Sequence, residues 1–349
     1  MMSYITRLLT SSQEDIEYAA ELIRQGELVG MPTETVYGLA ADAEDPEAVK
    51  KIFEAKGRPQ DNPLIVHIGD ISQIEEYAHD VPDIAYKLAE NFCPGPLTMV
   101  LPKRDRIPDV TSAGLDTVGI RIPGHKTARA LIKASGKAIA APSANLTGCP
   151  SPTTAGHVMN DMDGRIPAVI DGGSCPVGVE STVVSFEDGR IRLLRPGFIS
   201  AEELSEFAEV IADRHITEAA LDGEQVRSPG MKYRHYSPKA NVTIIEGSSE
   251  EYLEYVNSRV GDGVFAMSFD SAAADCKIPC IPYGDTSEEQ AAKLFSVLRE
   301  FDEIGAKQVY AQCPSSNGVG LAVYNRLLRA AGFEIVKIGG SLKTDREGF

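Results

Sequence analysis

The sequence predicts an α/β protein in which a mixed, twisted sheet is followed by a small, parallel, Rossmann-like sheet. Along most of the 349 residues, short apolar runs typical of buried strands alternate with helical patterns. Two of these runs, at 180–186 and 190–195, flank a Glu-Asp-Gly turn and predict an antiparallel hairpin. The alternation stops after about residue 212 and restarts at 242, so pattern and length together predict two domains.

The elements of the first domain follow from local patterns. A helix is predicted over 12–25, where Ser12 and Asp15 have the spacing of a capping box. A second helix opens at Pro46 and ends at Gly57, a residue type that favours helix ends. The remaining predictions are strands at 28–31, 64–68, 97–101, 117–122 and 137–142, helices near 71–92, and a helix at 126–135.

The second domain is separated from the first by a polar segment. That segment contains Gly, Pro and clustered basic residues without an amphipathic period, so it is predicted to be a linker. Beyond it, strands alternate with helices of a length typical of a small parallel sheet. The predicted division is therefore a catalytic domain over 1–212, a linker over 213–241 and a C-terminal domain over 242–349.

Composition excludes several classes of protein. The formal net charge of −17 repels a polyanion, so stable direct binding of nucleic acid is not expected. The six cysteines include no C-x-x-C pair, which argues against a zinc site or a disulfide framework. Apolar stretches are too short for a membrane span, and the N-terminus lacks the apolar region of a secretory signal. We expect a soluble, cytoplasmic protein.

The first candidate for chemistry is KGRPQDNPLIVH, residues 56–67, which begins where the second helix ends. Lys56 and Arg58 suit the partly negative end of a helix, as ordinary solvated cations would. They also stand on a Gly/Pro-restrained loop that leads into a buried strand. On such a loop, the compact ammonium of Lys56 and the planar guanidinium of Arg58 offer complementary ways to hold a polyphosphate. Both interpretations stay open at this stage.

The second candidate is APSANLTGCPSPT, residues 141–153, at the C-terminal end of an apolar strand. Open α/β sheets bind ligands at such strand ends, and small residues and hydroxyls let the backbone approach a phosphate or a ribose. A Ser/Asn-rich turn is also simply a common turn. Ser143 lacks the G-x-S-x-G context of a hydrolase nucleophile, so nucleophilic catalysis is not expected from it.

A third segment, GIRIPGHKT over 119–127, resembles a phosphate-binding P-loop only superficially. His125 interrupts the required G-K-[ST] ending, and the segment alternates as a strand does. Within that strand, Arg121 alternates with apolar residues and is predicted to point to the less buried face. On that face, Arg121 is either a cation exposed to solvent or a ligand that clamps a carboxylate.

Taken together, these segments resemble the threonylcarbamoyl-AMP synthase family in its long, two-domain form, with a YrdC-like catalytic domain. The matching blocks occur in order over about residues 15–240. They are MPTETVYGLAADA (31–43), KGRPQDNPLIVH (56–67), CPGPLTMVL (93–101), VGIRIPGH (118–125), APSANLTGCPSPT (141–153), GVESTVVSF (178–186), LLRPG (193–197) and SPGMKYRHYSP (228–238). The K-x-R and S-x-N motifs show no departure from the family pattern.

The resemblance implies an enzyme that joins L-threonine, bicarbonate and ATP into threonylcarbamoyl-AMP, with release of pyrophosphate. It implies that the product is passed to a transferase complex that makes N6-threonylcarbamoyladenosine in tRNA. A Mg²⁺ ion is expected on the phosphates of ATP, because a triphosphate needs charge neutralisation. No side chain is predicted as a dedicated metal ligand.

The resemblance also implies roles for individual residues. Lys56 and Arg58 are expected to be the catalytic ligands of the triphosphate and carboxyl groups. The other expected ATP ligands are Asn62, Thr117, Ser143, Asn145, Ser151 and Arg195. The expected threonine ligands are Thr35, His67, Arg121, Ser181 and the backbone of Ala141.

The linker segment SPGMKYRHYSP carries more chemistry than a tether requires. Flexible linkers are usually Gly/Ser-rich, whereas this one is stiffened by Pro229 and Pro238 and contains many hydrogen-bond donors. We therefore expect it to close over the cleft as a lid, with Arg234, His235 and Tyr236 added to the ATP-binding residues.

Competing functions predict other features. An RNA-binding module would use Lys50, Lys51, Lys56 and Arg58, but net acidity and the lack of an aromatic platform oppose it. The related carbamoyl-transfer domain of hydrogenase maturation would bring zinc-finger cysteine pairs. A scaffold without catalysis would show no threonine-dependent release of pyrophosphate.

Overall fold

The computed structural model describes residues 4–60, 62–216, 218 and 236–338. Their strands form two sheets, one in each part of the chain. We call the described residues up to 216 the N-terminal unit and those from 236 onward the C-terminal unit. Among the helices described, none is long and apolar enough to cross a membrane.

The N-terminal unit contains a sheet whose strands run in the order β1-β8-β2-β3-β7-β4-β6-β5-β9-β10-β11. Parallel and antiparallel pairs both occur, so the predicted mixed sheet is confirmed. The strands are β1 (Arg7–Leu9), β2 (Val29–Met31), β3 (Gly38–Asp42), β4 (Ile65–His67), β5 (Leu97–Pro102), β6 (Thr117–Arg121), β7 (Ile139–Ala140), β8 (Ala168–Ile170), β9 (Thr182–Glu187), β10 (Arg190–Arg195) and β11 (Val210–Ala212). The predicted hairpin is the antiparallel pair β9 and β10.

Helices cover this sheet and bury its apolar side chains. They are α1 (Gln13–Arg24), α2 (Pro46–Lys56), α3 (Ile74–Tyr77), α4 (Asp83–Phe92), α5 (Asp109–Ser112), α6 (Lys126–Ser135), α7 (Ala155–Met162) and α8 (Ala201–Ser205), with short 3₁₀ turns at Ile71–Gln73 and Arg214–Ile216. The start of α1 shows half of the predicted capping box. Ser12 accepts from the Asp15 amide, but the Asp15 carboxylate accepts from Thr10 instead of closing the box.

One helix end positions the cleft directly. Asp45 caps the start of α2, and Pro46 occupies its first turn, where a missing N–H costs nothing. Gly57 ends the helix with φ of 60°, a left-handed conformation that favours glycine. Lys56 is therefore the last residue of a rigid element, and the chain turns immediately after it.

The C-terminal unit is a smaller sheet in the order β14-β13-β15-β12-β16. Every strand pair in it is parallel, which confirms the predicted parallel sheet. The strands are β12 (Asn241–Glu246), β13 (Val264–Ser268), β14 (Cys280–Pro282), β15 (Gln308–Gln312) and β16 (Ile335–Lys337). The helices are α9 (Ser249–Asn257), α10 (Asp270–Ala273), α11 (Ser287–Glu303) and α12 (Val319–Ala330).

The two units share an apolar core. Val36, Val177 and Val179 of the N-terminal unit are buried in the same cluster as the apolar faces of α11 and α12. Two buried ion pairs cross the contact: Asp161 with Arg299 at 2.8 Å, and Glu180 with Arg326 at 3.0 Å. Helices of the C-terminal unit therefore pack directly against the segment that leads into β9.

Candidate active site

A cleft opens mainly in the N-terminal unit, with Tyr236 of the C-terminal unit in its wall. It is lined by segments that are far apart in sequence, at the ends of α2, β4, β6 and β10 and along the loop after β7. The structure brings most of the predicted site residues together here. They are Thr35, Lys56, Arg58, His67, Arg121, Ala141, Ser143, Asn145, Ser181, Arg195 and Tyr236.

Lys56 connects the end of α2 to the loop after β7. Its ammonium donates to the Ser143 carbonyl and, over 2.7 Å, to the Asn145 carbonyl. Only 4% of the residue is exposed, so the interpretation of Lys56 as a solvated helix-end cation is wrong. Burial and then the charge of Arg58 hold the pKa of Lys56 well below its ordinary value. The ammonium both organises this loop and lies beside the cleft.

Arg121 is buried as well, and the prediction that it points to the less buried face is wrong. Its Nη2 pairs with Glu34 Oε1 at 2.6 Å, and its Nη1 donates to Thr35 Oγ1 over 2.9 Å. The Nε donates to the Gly95 carbonyl over 3.3 Å. Burial favours the neutral acid, yet the guanidinium outweighs it and lowers the pKa of Glu34. These contacts fix the guanidinium on the wall of the cleft and use three of its five N–H groups, so one on Nη1 and one on Nη2 remain for a carboxylate.

His67 is a neutral imidazole with a defined tautomer. Its Nδ1 lies 3.3 Å from the Ile139 carbonyl, which can only accept, so Nδ1 carries the proton. Nε2 is then an acceptor on a ring that lines the cleft. Burial and then Arg121 lower the pKa of His67 to about 3. His67 is therefore suited to accept a hydrogen bond from a substrate hydroxyl or ammonium group.

Arg195 and Ser181 form another wall of the cleft. Arg195 donates to the Ser181 carbonyl over 3.1 Å and to the Ser181 hydroxyl over 3.0 Å. Thr98 Oγ1 lies 2.7 Å from the same hydroxyl. Burial and then Arg326 lower the pKa of Arg195 to about 10, so Arg195 keeps its charge at neutral pH. This wall supplies a fixed positive charge in the same cleft as Lys56 at the end of α2.

Some predicted residues do not line the cleft. Ser151 is fully buried and donates to Glu180 Oε1 over 2.6 Å. Thr117 borders a small neighbouring cavity, which shares Pro63 with the cleft. Asn62 is buried, and within the described part of the chain neither polar atom of its amide has a hydrogen-bond partner. Arg234 and His235 lie outside the described residues.

Two acidic residues of the site were not predicted. Glu34 holds Arg121, and Glu180 both lines the cleft and binds Ser151. Each directly precedes a predicted ligand, Thr35 or Ser181, within an otherwise apolar or small-residue segment. A lone carboxylate in such a segment is a signal for a buried ion pair, because it is rarely buried without a partner.

Tyr236 is the described end of the predicted lid. It lines the cleft, is 6% exposed, and its ring centroid lies 5.2 Å from that of Phe295 on α11. The next residue, Ser237, donates through its amide to the Gly148 carbonyl of the loop after β7. The end of the linker is thus anchored to both units at the cleft.

The cleft lies at the ends of sheet strands and has buried cations on several walls. Such a site is typical of an enzyme that binds anionic substrates. The family model described as telomere recombination matches residues 21–197. The model described as threonylcarbamoyl-AMP synthase, C-terminal domain, matches residues 199–332. The chain belongs to the threonylcarbamoyl-AMP synthase family, and the resemblance inferred from its sequence segments is confirmed.

Relatives match this chain over nearly its whole length. The threonylcarbamoyl-AMP synthase of Pyrococcus abyssi is 46% identical, over 93% of this chain and 96% of its own. That of Bacillus subtilis is 46% identical, over 95% of this chain and 97% of its own. The crystal structure of P. abyssi Sua5 complexed with L-threonine has a TM-score of 0.90 and 43% identity, over 96% of this chain and 100% of that chain.

Proposed function

We propose that this protein makes threonylcarbamoyl-AMP and pyrophosphate from L-threonine, bicarbonate and ATP. The observation that carries the proposal is the arrangement of the cleft: an oriented arginine fork at Arg121 shares one cavity with the cations Lys56, Arg58 and Arg195. A carboxylate and a triphosphate can therefore bind side by side. Family membership and near-complete coverage by synthases support the same reaction.

Threonine is assigned to the side of the cleft around Arg121. The guanidinium would hold the substrate carboxylate, supported by Thr35 and by the Ala141 backbone, while His67 Nε2 would accept from the hydroxyl or the amine. Ser181 is the remaining residue that we assign to threonine binding. The solved relative in complex with L-threonine supports an amino-acid site in this fold.

ATP is assigned to the cations and the loop after β7. Lys56 and Arg58 would hold the phosphates at one end and Arg195 at another, with Ser143 and Asn145 along the loop. Thr117, which borders the neighbouring cavity, and the buried Asn62 are assigned to the same set. The partnerless amide of Asn62 supports its role, because a buried amide without a partner is costly unless a ligand satisfies it. Ser151 would act through Glu180.

The reaction needs proximity and charge stabilisation more than covalent catalysis. The threonine amine and bicarbonate form a carbamate with loss of water. A carbamate oxygen then attacks the α-phosphorus, the bond to the bridging oxygen of pyrophosphate breaks, and pyrophosphate leaves. Three anions must approach one another, so buried cations can stabilise the charge that develops on the leaving group.

Mg²⁺ enters this scheme as part of the ATP substrate. Within the described residues there is no group of His, Cys, Asp and Glu side chains that could hold a metal ion. The acidic residues near the cleft, Glu34 and Glu180, are already paired with arginines. The triphosphate and water would therefore supply the ligands of the ion.

We further infer the setting of the reaction. The division into a catalytic domain over 1–212, a lid over 213–241 and a C-terminal domain over 242–349 suits the two sheets, which end at Ala212 and begin at Asn241. We assign the enzyme to the cytoplasm and its product to a separate tRNA transferase complex, because the acidic chain opposes stable RNA binding.

Mass spectrometry tests the proposed function. The protein is incubated with MgATP, bicarbonate and isotopically labelled threonine, and the product should carry the label in threonylcarbamoyl-AMP. Pyrophosphate should appear only when all substrates are present. Equal release without threonine would identify an ordinary ATPase and refute the assignment.

A further inference from the structure

The C-terminal unit places a fully buried arginine beneath the cleft. Arg326 lies on α12 with none of its surface exposed. Its Nε pairs with Glu180 Oε2 at 3.0 Å, its Nη1 donates to the Pro196 carbonyl over 2.5 Å, and its Nη2 donates to the Glu180 carbonyl over 3.3 Å. A buried guanidinium needs such a counter-charge, because desolvation without a partner costs several kcal/mol.

Glu180 connects this arginine to the cleft. One oxygen of its carboxylate is occupied by Arg326 and the other by Ser151, while the residue itself lines the cleft. Arg195 lies on the same wall. Although burial opposes ionisation, Arg326 and then Arg195 lower the pKa of Glu180. The carboxylate is therefore charged and interacts with both guanidinium groups.

The charges of Arg195, Glu180 and Arg326 decide whether the net charge on this wall of the cleft is positive. Among the described residues of this group, two guanidinium groups and one carboxylate leave one net positive charge beside the cleft. Without Arg326, the carboxylate would cancel the charge of Arg195. In a buried site the effect is large, since Coulomb energies between groups a few ångströms apart grow as the effective dielectric constant falls.

We propose that Arg326 is a positioning residue for nucleotide binding, which holds and neutralises Glu180 so that the cleft keeps a net positive charge at Arg195. The inference rests on the proposed function, in which Arg195 contacts the phosphates of ATP. It assigns the C-terminal unit a part in substrate binding: α12 supplies the guanidinium that neutralises Glu180 at this wall.

A purely structural role for Arg326 predicts a different pattern. If the arginine only joined the two units, its loss would raise the KM for both substrates alike, although removal of the Glu180 carboxylate would then also relieve the unpaired buried charge. A charge-balancing role predicts that ATP is affected most and that removal of the Glu180 carboxylate restores ATP binding in particular. The ratio of the two KM effects, followed through a double-mutant cycle, separates these roles.

The experiment compares KM for ATP and for threonine in full-length variants. Arg326→Gln should raise the KM for ATP by at least about tenfold and that for threonine by less than about threefold. Arg326→Lys keeps the charge but not the three directed contacts, so it should raise the KM for ATP by less than Arg326→Gln does. The double variant Glu180→Gln/Arg326→Gln should return the KM for ATP to within about threefold of the wild-type value.

A matched control comes from the other ion pair between the units. Asp161→Asn/Arg299→Gln removes a buried pair whose members do not line the cleft but do bond to the Leu146 amide and the Pro150 carbonyl of the loop after β7. It should lower the melting temperature and change the KM for ATP by less than Arg326→Gln does. Equal defects for both substrates in Arg326→Gln, or a double variant no better than the single one, would overturn the inference. If Arg326→Gln does not fold, a folded double variant that has lost ATP binding would overturn it as well.

Calorimetric titration with MgATP keeps this inference separate from the proposed function. A wild-type protein that binds MgATP and threonine but makes no threonylcarbamoyl-AMP would refute the proposed function. The dissociation constants of the variants would then still test the role of Arg326.

Discussion

Lys56 shows how one side chain can serve both folding and binding. Its ammonium joins α2 to the loop after β7 and at the same time borders the cleft. Lys56→Met keeps the length of the side chain but removes its charge and donors. Turnover should fall by about 10²-fold or more, as for the loss of a preorganised donor. The carbonyl groups of the loop lose their partner, so the free energy of unfolding should fall by about 1–3 kcal/mol.

Steady-state kinetics and denaturant unfolding measure these two effects. Lys51→Met is the matched control, since Lys51 lies on the same helix and bonds to Gly26 and Glu27 away from the cleft. Turnover of this control should stay near normal. A folded Lys56→Met variant with wild-type turnover would show that its ammonium has only a structural role.

His67 makes stability depend on pH. The unfolded chain takes up a proton on this imidazole near pH 6.5, whereas burial and Arg121 hold the folded pKa at about 3. The unfolded state therefore binds more protons between these values. The contribution of His67 is complete above pH 6.5 and is lost as the pH falls from 6.5 toward 3.

This pH dependence is tested by measuring how far the free energy of unfolding falls between pH 7 and pH 5. From the two pKa values, His67 should account for about 2 kcal/mol of this loss. His67→Gln, which cannot titrate, should lose that much less than the wild type. Parallel pH curves for the two proteins, measured by urea unfolding, would show that His67 is not protected from protonation in the folded state.

The segment that leads into β9 is an element whose position depends on the other unit. A Cβ added at Gly178 would lie 2.2 Å from the Ala291 carbonyl oxygen of α11, closer than atoms can approach. Gly178→Ala should therefore push α11 away from the loop that carries Glu180 and Ser181. We expect a loss of both stability and product formation, measured by thermal unfolding and by mass spectrometry.

Gly173→Ala is the control for this substitution. Both glycines have positive φ, 79° at Gly178 and 83° at Gly173, but a Cβ at Gly173 meets no atom within 4 Å. Gly173→Ala thus carries only the backbone strain of about 1–2 kcal/mol. Equal effects of the two substitutions would show that close packing against α11 is unimportant.

The linker is the element that we expect to close the site. Replacement of Arg234, His235 and Tyr236 by Ala, with linker length unchanged, should sharply reduce product formation. In the wild-type protein, the linker should be cleaved by protease more slowly when ATP and threonine are bound, because a lid becomes ordered over its ligands. Full activity of the variant, or identical cleavage rates with and without ligands, would reduce the segment to a tether. Tyr236→Phe, which keeps the ring against Phe295, is the milder control.

Across the molecule, the two units depend on one shared core. A chain that ends at residue 216 would expose Val36, Val177 and Val179, which now pack against α11 and α12. It would also leave Asp161 and Glu180 without their arginines. Burial of apolar side chains provides most of the stability, so the shortened chain should aggregate or melt at a lower temperature.

Size-exclusion chromatography and thermal unfolding check this prediction. In the shortened chain, Val177→Thr/Val179→Thr should improve solubility without restoring product formation, since the Arg326 contact is still missing. A soluble, fully active protein that ends at residue 216 would show that the C-terminal unit is dispensable for both folding and catalysis.

Most elements, the mixed and parallel sheets, the family and the residues that meet in the cleft could be predicted from the sequence. These follow from local patterns, such as the helix that ends at Gly57, and from motifs whose spacing is visible in the chain. Whether a motif residue is buried, and what it pairs with, is a different question. Lys56 and Arg121 were candidates for solvated cations by local pattern alone, yet both are buried.

Those partners are set by tertiary packing, because they lie far away along the chain. Glu34 and Arg121 are separated by 87 positions, and Glu180 and Arg326 by 146. Local periodicity carries no information over such separations. Long-range packing likewise pairs Ser151 with Glu180, and it places the C-terminal unit against the segment that leads into β9. The charges of the site are balanced between the units, since each burial of a cation requires a carboxylate or carbonyl partner nearby.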